Sequence, residues 1–512
     1  MINRDGFNPS LWQATVEEYK SISIFKPEEV FDVAIVGGGI TGVSTALLLQ
    51  EAGKKCILFE SNNLGYGTTG GTTAHLNTLL DTPYALIEKN FNEATSSSVA
   101  KATELAIELI HTHINRFSID CGWQKVKASL YARNEKQAEE LQEILDACLR
   151  AGLPAKRSEE LPLDAIESID VDDQAKFHPL KYIQAIALEY EKAGGVLLQK
   201  TLVTGVKENE TLEISTSVGT IRARDVIYAT HIPPGINVLH LRCAPYRTYV
   251  LAVTLKDNKY PSGLIYDMDD PYQYYRSQEI DGQRYLIAGG KDHKTGSEDS
   301  TASVFTKLEA TVRKVFDVDS VDYKWSSQYY ESNDGLPYIG NIPGLSNHIY
   351  AATGFGGNGM VYSQIAAMIF RSLLVDGSSS LIDPALFNPG RLKPVAGFTS
   401  FFSHNADVLK NFAGKLFSGE KMKELADLAP GEGKMVKYEQ EKLGIYKDPQ
   451  GNLFGIHPAC THMKCEVKWN GAERSWDCPC HGARFGIHGE VLNGPAVHDL
   501  EKVNIASLTN EQ

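Results

Sequence analysis

The chain has 512 residues, which is more than a single hydrophobic core usually organises, so we expect two or three domains. Its composition, 42% hydrophobic and 22% charged, is typical of a globular enzyme, so disorder is not the default expectation. A formal net charge of -14, without a run of Lys and Arg, gives no attraction to phosphate backbones or anionic lipid, and we expect no nucleic-acid partner.

The N-terminal segment Met1–Gln13 has mixed charges and no apolar core, so we expect no export signal and a cytoplasmic protein. Two uncharged stretches, Val33–Gln50 and Ile349–Phe370, are long enough to resemble membrane spans. Because each contains a cluster of glycines, both predict a strand, a turn and a helix instead. We therefore predict no membrane span.

The first clear unit along the chain is a βαβ motif. We predict a strand at Phe31–Val36, a helix at Val43–Glu51 and a second strand at Cys56–Glu60. The glycine turn between the first strand and the helix reads Gly37-x-Gly39-x-x-Gly42.

These glycines lie where a backbone must turn tightly and approach a pyrophosphate, with the positive end of the helix facing the phosphates. Glu60 ends the second strand, where a carboxylate accepts hydrogen bonds from a ribose. Together these features predict a dinucleotide site. FAD and NAD both use this fingerprint, so the motif alone does not choose between them.

The middle of the chain changes from helical to strand-like patterns. Apolar residues recur at helical spacing in Asn92–Arg116 and Asn134–Ala151. Strand patterns follow at Val196–Thr230, Tyr246–Leu255 and Tyr285–Ala288, which predicts a mixed sheet after the α/β unit.

Two later segments resemble the closing motif of the D-amino-acid oxidase family of FAD enzymes. They are Asp334–Gly340, which reads DGLPYIG, and Ile349–Met360, which reads IYAATGFGGNGM. The resemblance spans about residues 30 to 375. It implies FAD as cofactor and an α/β Rossmann-like FAD-binding domain with an inserted mixed-sheet substrate domain.

The fingerprint and the resemblance together give a set of predicted FAD-binding residues. The backbone of Gly356–Met360 is implied to lie near the flavin ring, and the loop after Glu60 is implied to follow the ribityl and phosphate groups. The set is Gly37, Gly39, Ile40, Thr41, Gly42, Glu60, Thr68, Thr69, Gly70, Val203, Gly354, Gly357, Asn358, Gly359 and Met360.

We predict that FAD is held noncovalently. Some members of the resembled family attach FAD through a Cys before the Asp-Gly-Leu-Pro stretch, but Ser326–Tyr329 fills that region here. Others use a His in the early loop, and His75 is displaced from that position, so we interpret it as an ordinary histidine.

Four residues on the predicted substrate side are candidates for catalysis: Tyr275, Arg276, Lys291 and His293. An Arg or Lys there could hold a substrate carboxylate, and His293 could manage a proton. The alternative for each is a surface or structural side chain without substrate contact.

The C-terminal part is predicted to be a separate module. We divide the chain into an FAD-dependent oxidoreductase domain at 1–385, a linker at 386–430 that contains a Lys-rich helical stretch, Val408–Leu428, and a small all-β domain at 431–512.

The most specific motif lies in that last domain. Cys460-Thr461-His462 and Cys478-Pro479-Cys480-His481-Gly482 are separated by fifteen residues. Each loop supplies one Cys and one His, which fits a Rieske [2Fe-2S] centre with Cys460, His462, Cys478 and His481 as ligands. Tetrahedral zinc also takes two Cys and two His, but zinc fingers pair Cys with Cys and His with His.

Cys465 and Cys480 remain beside the two ligand loops. The module resembles the Rieske proteins of respiratory and photosynthetic complexes, which implies a disulfide between this pair. Trp469, Trp476 and the turn Asn493-Gly494-Pro495 resemble the apolar cover and proline loop that shield such a cluster. The whole chain resembles a bacterial group of FAD oxidoreductases with a C-terminal Rieske domain.

We therefore expect an FAD-dependent oxidoreductase that oxidises an amine or amino-acid-like small molecule, passes electrons to the Rieske cluster and needs an external electron acceptor. One alternative is an electron-transfer or redox-sensing protein without small-molecule turnover. A Rieske oxygenase is a second alternative, but it needs a mononuclear iron held by two His and a carboxylate, and no such closely spaced triad is evident.

Overall fold

The structure is a computed structural model that describes residues 4–26, 28–376, 381–391, 420–421, 428–438 and 441–505. Most of the predicted linker helix, Val408–Leu428, lies outside these residues. Within the described ranges, no helix has both the length and the apolar character needed to cross a bilayer.

Two long surface helices form where the sequence predicts them, each capped by the side chain of an Asn. Asn92 accepts the N–H of Thr95, and Asn134 accepts the N–H of Gln137. In chain order, the described α-helices α1 to α9 are Leu11–Ala14, Ile40–Glu51, Thr68–Gly71, Tyr84–Asn90, Glu93–Phe117, Glu135–Ala151, Pro179–Lys192, Thr301–Val315 and Gly359–Arg371.

The strands before residue 392 form two sheets. In chain order, β1 to β17 of the described residues are Val30–Val36, Cys56–Phe59, His75–Leu76, Gln124–Ala132, Ala155–Arg157, Glu167–Lys176, Val196–Leu198, Val203–Glu208, Leu212–Thr216, Gly219–Tyr228, Cys243–Leu255, Leu264–Asp267, Tyr274–Ile280, Gln283–Lys294, Val318–Ser332, Tyr338–Asn341 and Ile349–Thr353.

The first sheet has the order β16-β17-β10-β1-β2-β7, with β9 joining β10 to β8. Its centre is parallel, and β1 pairs with β2 and β10 in register along Val33–Val36. Helices α2 and α9 pack together beside this sheet and are largely buried. This confirms the Rossmann-like domain, although α2 begins at Ile40, three residues before the predicted start, because Gly39 is already its N-cap.

The second sheet is mixed and has the order β15-β11-β14-β13-β12-β4-β6-β3, with β5 paired to β6. Only β12 and β4 run parallel among the pairs recorded for the described strands of this sheet. Strands β13 and β14 form a hairpin that contains the predicted strand Tyr285–Ala288, with Tyr274 opposite Gly289 and Tyr275 opposite Ala288. This confirms the inserted mixed-sheet domain.

The C-terminal part consists of two small sheets, one of five and one of four described strands. Its own core contains Trp476, Phe485 and the four clustered cysteines. This confirms the small all-β domain. The described strands β18 to β26 are Glu420–Lys421, Gly433–Tyr438, Glu441–Lys447, Leu453–Ile456, Lys468–Asn470, Ser475–Asp477, Arg484–Phe485, Val491–Asn493 and Lys502–Val503.

Candidate active site and iron-sulfur centre

A cavity of about 420 Å³ lies where the first sheet, the second sheet and the C-terminal domain meet. The carboxyl ends of β1 and β2 and the turn before α2 line one half of it. Strands β11, β13 and β14 line the other half, and residues 491–497 of the C-terminal domain border the same space. One cavity is therefore shared by the two halves of the molecule.

The nucleotide half is built from the βαβ motif. The Gly38 N–H donates to Oε2 of Glu60 at 2.7 Å, and the Asn62 N–H donates to Oε1 at 2.8 Å. Burial raises the pKa of Glu60, although these backbone donors oppose the shift. The Thr69 hydroxyl accepts the Ile40 N–H at the start of α2. This arrangement suits a dinucleotide, with a fixed carboxylate at the end of β2 and a helix N-terminus beside it.

Most of the predicted FAD-binding residues line the cavity: Gly37, Gly39, Ile40, Thr41, Glu60, Thr68, Thr69, Val203, Gly357, Asn358, Gly359 and Met360. Gly42, Gly70 and Gly354 do not. We expected these three glycines to contact FAD, but each lies close to other atoms of the protein instead. A Cβ on Gly42 would lie 1.9 Å from the carbonyl oxygen of Gly37, so only glycine lets α2 touch the turn.

None of the four predicted catalytic residues lies among the residues that line the cavity in the described part of the chain. Arg276 is fully buried, and its guanidinium donates to the carbonyl oxygens of Ala74 and Phe177. Tyr275 belongs to a hydrophobic core on the other face of the sheet. The structure thus corrects the expected placement of both side chains.

His293 and Lys291 were expected beside the flavin, but they too are not among the residues that line the large cavity. His293 lines a separate small cavity and shares a hydrogen bond of 3.1 Å with the Tyr249 hydroxyl. Lys291 is half-buried in a left-handed conformation with φ 61°.

The neighbours of these residues line the cavity instead. Tyr274 precedes Tyr275 on β13, and Asp292 lies between Lys291 and His293 on β14. A β-bulge places Asp292 there, because Tyr249 of β11 pairs with Gly290 while Arg247 pairs with His293. Thr248 therefore faces two residues of β14, and such bulges redirect side chains next to active sites.

Asp292 is an unusual carboxyl group. Burial raises its pKa to about 7, against hydrogen bonds from the Thr248 and Tyr329 hydroxyls, and the charge of Asp81 raises it further. The Tyr329 hydroxyl donates to Oδ2 at 3.0 Å, whereas Oδ1 has no hydrogen-bond partner among the described residues. A carboxyl group with a raised pKa in a cleft is a candidate for binding or proton transfer.

His75 also lines the cavity, which its interpretation as an ordinary histidine did not anticipate. Its Nδ1 lies 2.7 Å from the Tyr266 hydroxyl, and its Nε2 is buried without a partner among the described residues. Burial lowers the pKa of His75 well below its usual range, and the charges of Arg276 and Lys176 lower it further. The imidazole is therefore neutral at pH 7.

The C-terminal domain gathers the predicted cluster ligands into one buried group. Cys460 and Cys478 are each 1% exposed and are free thiols. The imidazole rings of His462 and His481 have their centroids 5.1 Å apart, and the Nδ1 atom of each is buried without a partner among the described residues. Two thiols and two unpaired nitrogens in one apolar pocket fit a Rieske [2Fe-2S] cluster.

The remaining two cysteines form the predicted disulfide, Cys465–Cys480. The sulfur atoms of Cys465, Cys478 and Cys480 lie within 4.8 Å of one another. Because two of them are joined to each other, only Cys478 of these three is left to bind a metal.

Hydrogen bonds tie the cluster loops to the oxidoreductase part. Tyr330 on β15 donates from its hydroxyl to the His481 carbonyl oxygen at 2.9 Å, and Gln328 donates to the Gly482 carbonyl oxygen at 2.9 Å. His462 donates from Nε2 to the Gly235 carbonyl oxygen at 2.8 Å. The sequence did not reveal these contacts, since no local pattern marks a residue that meets a distant domain.

Two families match this chain. The FAD dependent oxidoreductase family (DAO) matches residues 32–373, and the Rieske [2Fe-2S] domain matches residues 420–504. The second match begins within our predicted linker, so the proposed boundaries at 385 and 430 stay predictions.

Related proteins match either nearly the whole chain or about 71% of it. The putative Rieske 2Fe-2S iron-sulfur protein YhfW of Bacillus subtilis (strain 168) is 31% identical over 97% of this chain and 98% of its own length. The gamma-glutamylputrescine oxidoreductase of Escherichia coli (strain K12) is 26% identical over 71% of this chain and 88% of its own. The crystal structure of glycine oxidase from Geobacillus kaustophilus superposes with a TM-score of 0.58 at 20% identity, covering 71% of this chain and 99% of that one, which shows a shared fold.

Proposed function

This chain belongs to the FAD dependent oxidoreductase family and carries a Rieske [2Fe-2S] domain, and from that premise we propose that it oxidises a C–N bond of an amine or amino-acid-like substrate and passes the electrons from FAD to its own cluster. When bound, FAD accepts two electrons from a substrate, and a Rieske cluster carries one electron at a time.

The observation that carries this proposal is the shared cavity. Residues 491–497, which include the proline turn of the Rieske domain, border the same space as the nucleotide-binding glycines. Thr68, which lines that space, donates to the Gln328 carbonyl oxygen at 2.9 Å, and the side chain of Gln328 reaches the Gly482 carbonyl oxygen of a ligand loop. A continuous set of bonded groups therefore joins the two cofactor sites within one chain.

Aromatic contacts also connect the cavity with the cluster loops. The His231 ring, which also lines the cavity, lies 4.6 Å from the Tyr330 ring, and Tyr330 donates to the backbone of the ligand His481. The two sites are thus separated by a small number of packed side chains. Transfer within the chain explains why an oxidoreductase domain and a cluster domain are joined.

The electron balance of the proposed reaction requires an electron acceptor outside this chain. Oxidation of a C–N single bond to C=N removes two electrons and two protons from the substrate. Because the cluster holds one electron at a time, an external acceptor must remove both electrons in two steps. The relative named for gamma-glutamylputrescine supports a nitrogen-bearing substrate for this chain.

The test is anaerobic addition of a panel of amines and amino acids to the holoenzyme, followed by visible absorption and electron paramagnetic resonance. We expect one class of compound to bleach the flavin bands and to produce the signal of a reduced Rieske cluster. If only dithionite reduces the two cofactors across a broad panel, the protein is an electron carrier or sensor and the proposal is wrong.

A further inference from the structure

The ionisable side chains around the cavity are mainly acids. The described lining residues include no Arg or Lys, whereas three carboxylates, Glu60, Asp81 and Asp292, are present. Glu60 lies at the nucleotide end, where it accepts backbone N–H groups. The acidic groups in the remainder of the cavity are therefore the two aspartates. Burial raises the pKa of both, so a cationic ligand beside them would stabilise their ionised forms.

The lining histidines do not offset this charge. Burial lowers the pKa of His231 to about 4, and burial also holds His75 in its neutral form. A substrate carboxylate, which prefers a guanidinium or ammonium partner, has none among the described lining residues. Arg276 on β13 does not line the cavity, and its guanidinium donates to the carbonyls of Ala74 and Phe177 and lies over the Trp12 ring.

Aromatic rings line the same part of the cavity. Tyr272 and Tyr274 have their centroids 5.4 Å apart, and His75 lies 5.6 Å from Tyr274 and 5.2 Å from Tyr266. All four side chains line the cavity. Tyrosine faces attract cations, and carboxylates beside aromatic rings are a common way to bind an ammonium group.

Asp292 is the anchor of this arrangement. The bulge in β14 directs it toward the cavity, the Tyr329 hydroxyl fixes Oδ2, and Oδ1 has no partner among the described residues. Asp81 is fixed by the Gly357 N–H, which donates to its Oδ2 at 2.8 Å, and its own N–H donates to Asn358. One carboxyl oxygen is thus left for a ligand, and a cation beside it would stabilise the ionised form of this buried acid.

We propose that the substrate is a cationic amine recognised through its ammonium group by Asp292, with Asp81 adding negative potential and Tyr272 and Tyr274 contacting the cation, and that an α-carboxylate is not part of the recognition. This inference rests on the proposed function but narrows it, because it separates alkylamines from amino acids. Loss of the acid at position 292 removes the charge partner, so we expect amine affinity to fall roughly tenfold or more.

The test compares two ligands of matched length and opposite charge, n-butylammonium and butyrate, by calorimetry and by the change in flavin absorbance of the oxidised holoenzyme. We expect butylammonium to bind and butyrate to bind at least roughly tenfold more weakly. Asp292→Asn should weaken butylammonium binding roughly tenfold or more and leave butyrate no weaker. Asp319→Asn, which changes an exposed carboxylate outside the cavity, should change neither affinity.

A second variant keeps the test decisive if Asp292→Asn loses FAD or folds poorly. Asp292→Glu retains the negative charge and should retain the preference for butylammonium. Stronger binding of butyrate than of butylammonium, or an unchanged amine affinity in a folded, FAD-loaded Asp292→Asn protein, would overturn the proposal.

These results are independent of turnover. If amines bind with the expected selectivity but do not bleach the flavin, the recognition is right and the proposed oxidation is wrong. If instead an amino acid bleaches the flavin through a site indifferent to Asp292, the oxidation is right and the cationic-amine inference is wrong.

Discussion

A buried network of charges joins the N-terminal segment, the second sheet and the Rieske domain, and its disruption is the sharpest test of how the two domains are held together. Arg4 contacts Glu473 at 3.4 Å, and Arg484 contacts Asp5 at 3.0 Å and Asp477 at 3.1 Å. Arg247 of β11 completes the group by its contact of 3.3 Å with Asp477. Three guanidinium groups and three carboxylates thus cancel in a region almost closed to water.

Glu473→Gln should be strongly destabilising. The Glu473 side chain is fully buried and its Oε1 accepts both the N–H and the hydroxyl of Ser326 at 2.7 Å, while Oε2 accepts the Phe7 N–H. Gln retains part of this hydrogen bonding but leaves one positive charge uncompensated. Removing one partner of a buried ion pair costs about 3–5 kcal/mol, and we expect a loss of about 3 kcal/mol in the free energy of unfolding.

The assay is urea denaturation of the holoenzyme, followed in parallel by circular dichroism and by the visible absorption of the cluster. Glu309→Gln is the matched control, because Glu309 forms an exposed pair with Arg313 on α8, and such pairs contribute only about 0–1 kcal/mol. A loss below about 1 kcal/mol for Glu473→Gln would refute the view that this network holds the domains together.

Three further predictions follow from the same structure. Burial alone raises the pKa values of Asp5 and Asp477, but the nearby arginines hold both below their ordinary range. The urea midpoint should therefore be insensitive to these groups above pH ~5 and should fall as they protonate below about pH 4. A midpoint that instead rises in acid would contradict this prediction. Gly42→Ala should yield protein without FAD, because the added Cβ would lie 1.9 Å from the Gly37 carbonyl oxygen. Gly205→Ala is the control and should retain FAD, because a Cβ there meets nothing within 4 Å. Equal flavin content in the two purified proteins would refute the argument. Tyr330→Phe removes the hydrogen bond to the His481 carbonyl, and in a stopped-flow experiment it should slow electron arrival at the cluster without changing the rate of flavin reduction. An unchanged rate of cluster reduction would exclude Tyr330 from the route.

The residues around the nucleotide half of the cavity and the grouping of two Cys and two His in the C-terminal domain could be predicted because their signals are local. Gly37 and Glu60 lie at positions fixed by one strand, one turn and one helix, so their spacing carries the geometry. The paired Cys and His of the Rieske loops carry their chemistry in the same way, within two short segments.

The lining of the half of the cavity formed by the second sheet could not be predicted, because the side chains that line it lie one residue away along a strand from those we expected there. Strand β13 is buried on both faces at Tyr274, Tyr275 and Arg276, so no polar alternation indicates which side chain faces the cavity. On β14, the bulge at Lys291 shifts by one residue the alternation of side chains between the two faces of the sheet, and it directs Asp292 toward the cavity. A register set by pairing with a distant strand leaves no trace in the local sequence.

The position of the proline turn beside the nucleotide cavity also could not be predicted from the sequence. Asn493-Gly494-Pro495 was expected to shield the cluster, and the structure adds that it borders the nucleotide cavity. This contact depends on how the two domains pack, which involves Gln328 and Tyr330 more than 150 residues away along the chain.

Electron transfer within one chain is the central claim, and flash photoreduction of the flavin in the anaerobic holoenzyme tests it most directly. Absorbance changes at the flavin and cluster bands would be followed over a tenfold range of protein concentration. We predict that the cluster becomes reduced as the flavin is reoxidised, with a first-order rate that does not depend on concentration. A rate proportional to protein concentration, or a reduced flavin that leaves the cluster oxidised, would contradict the account.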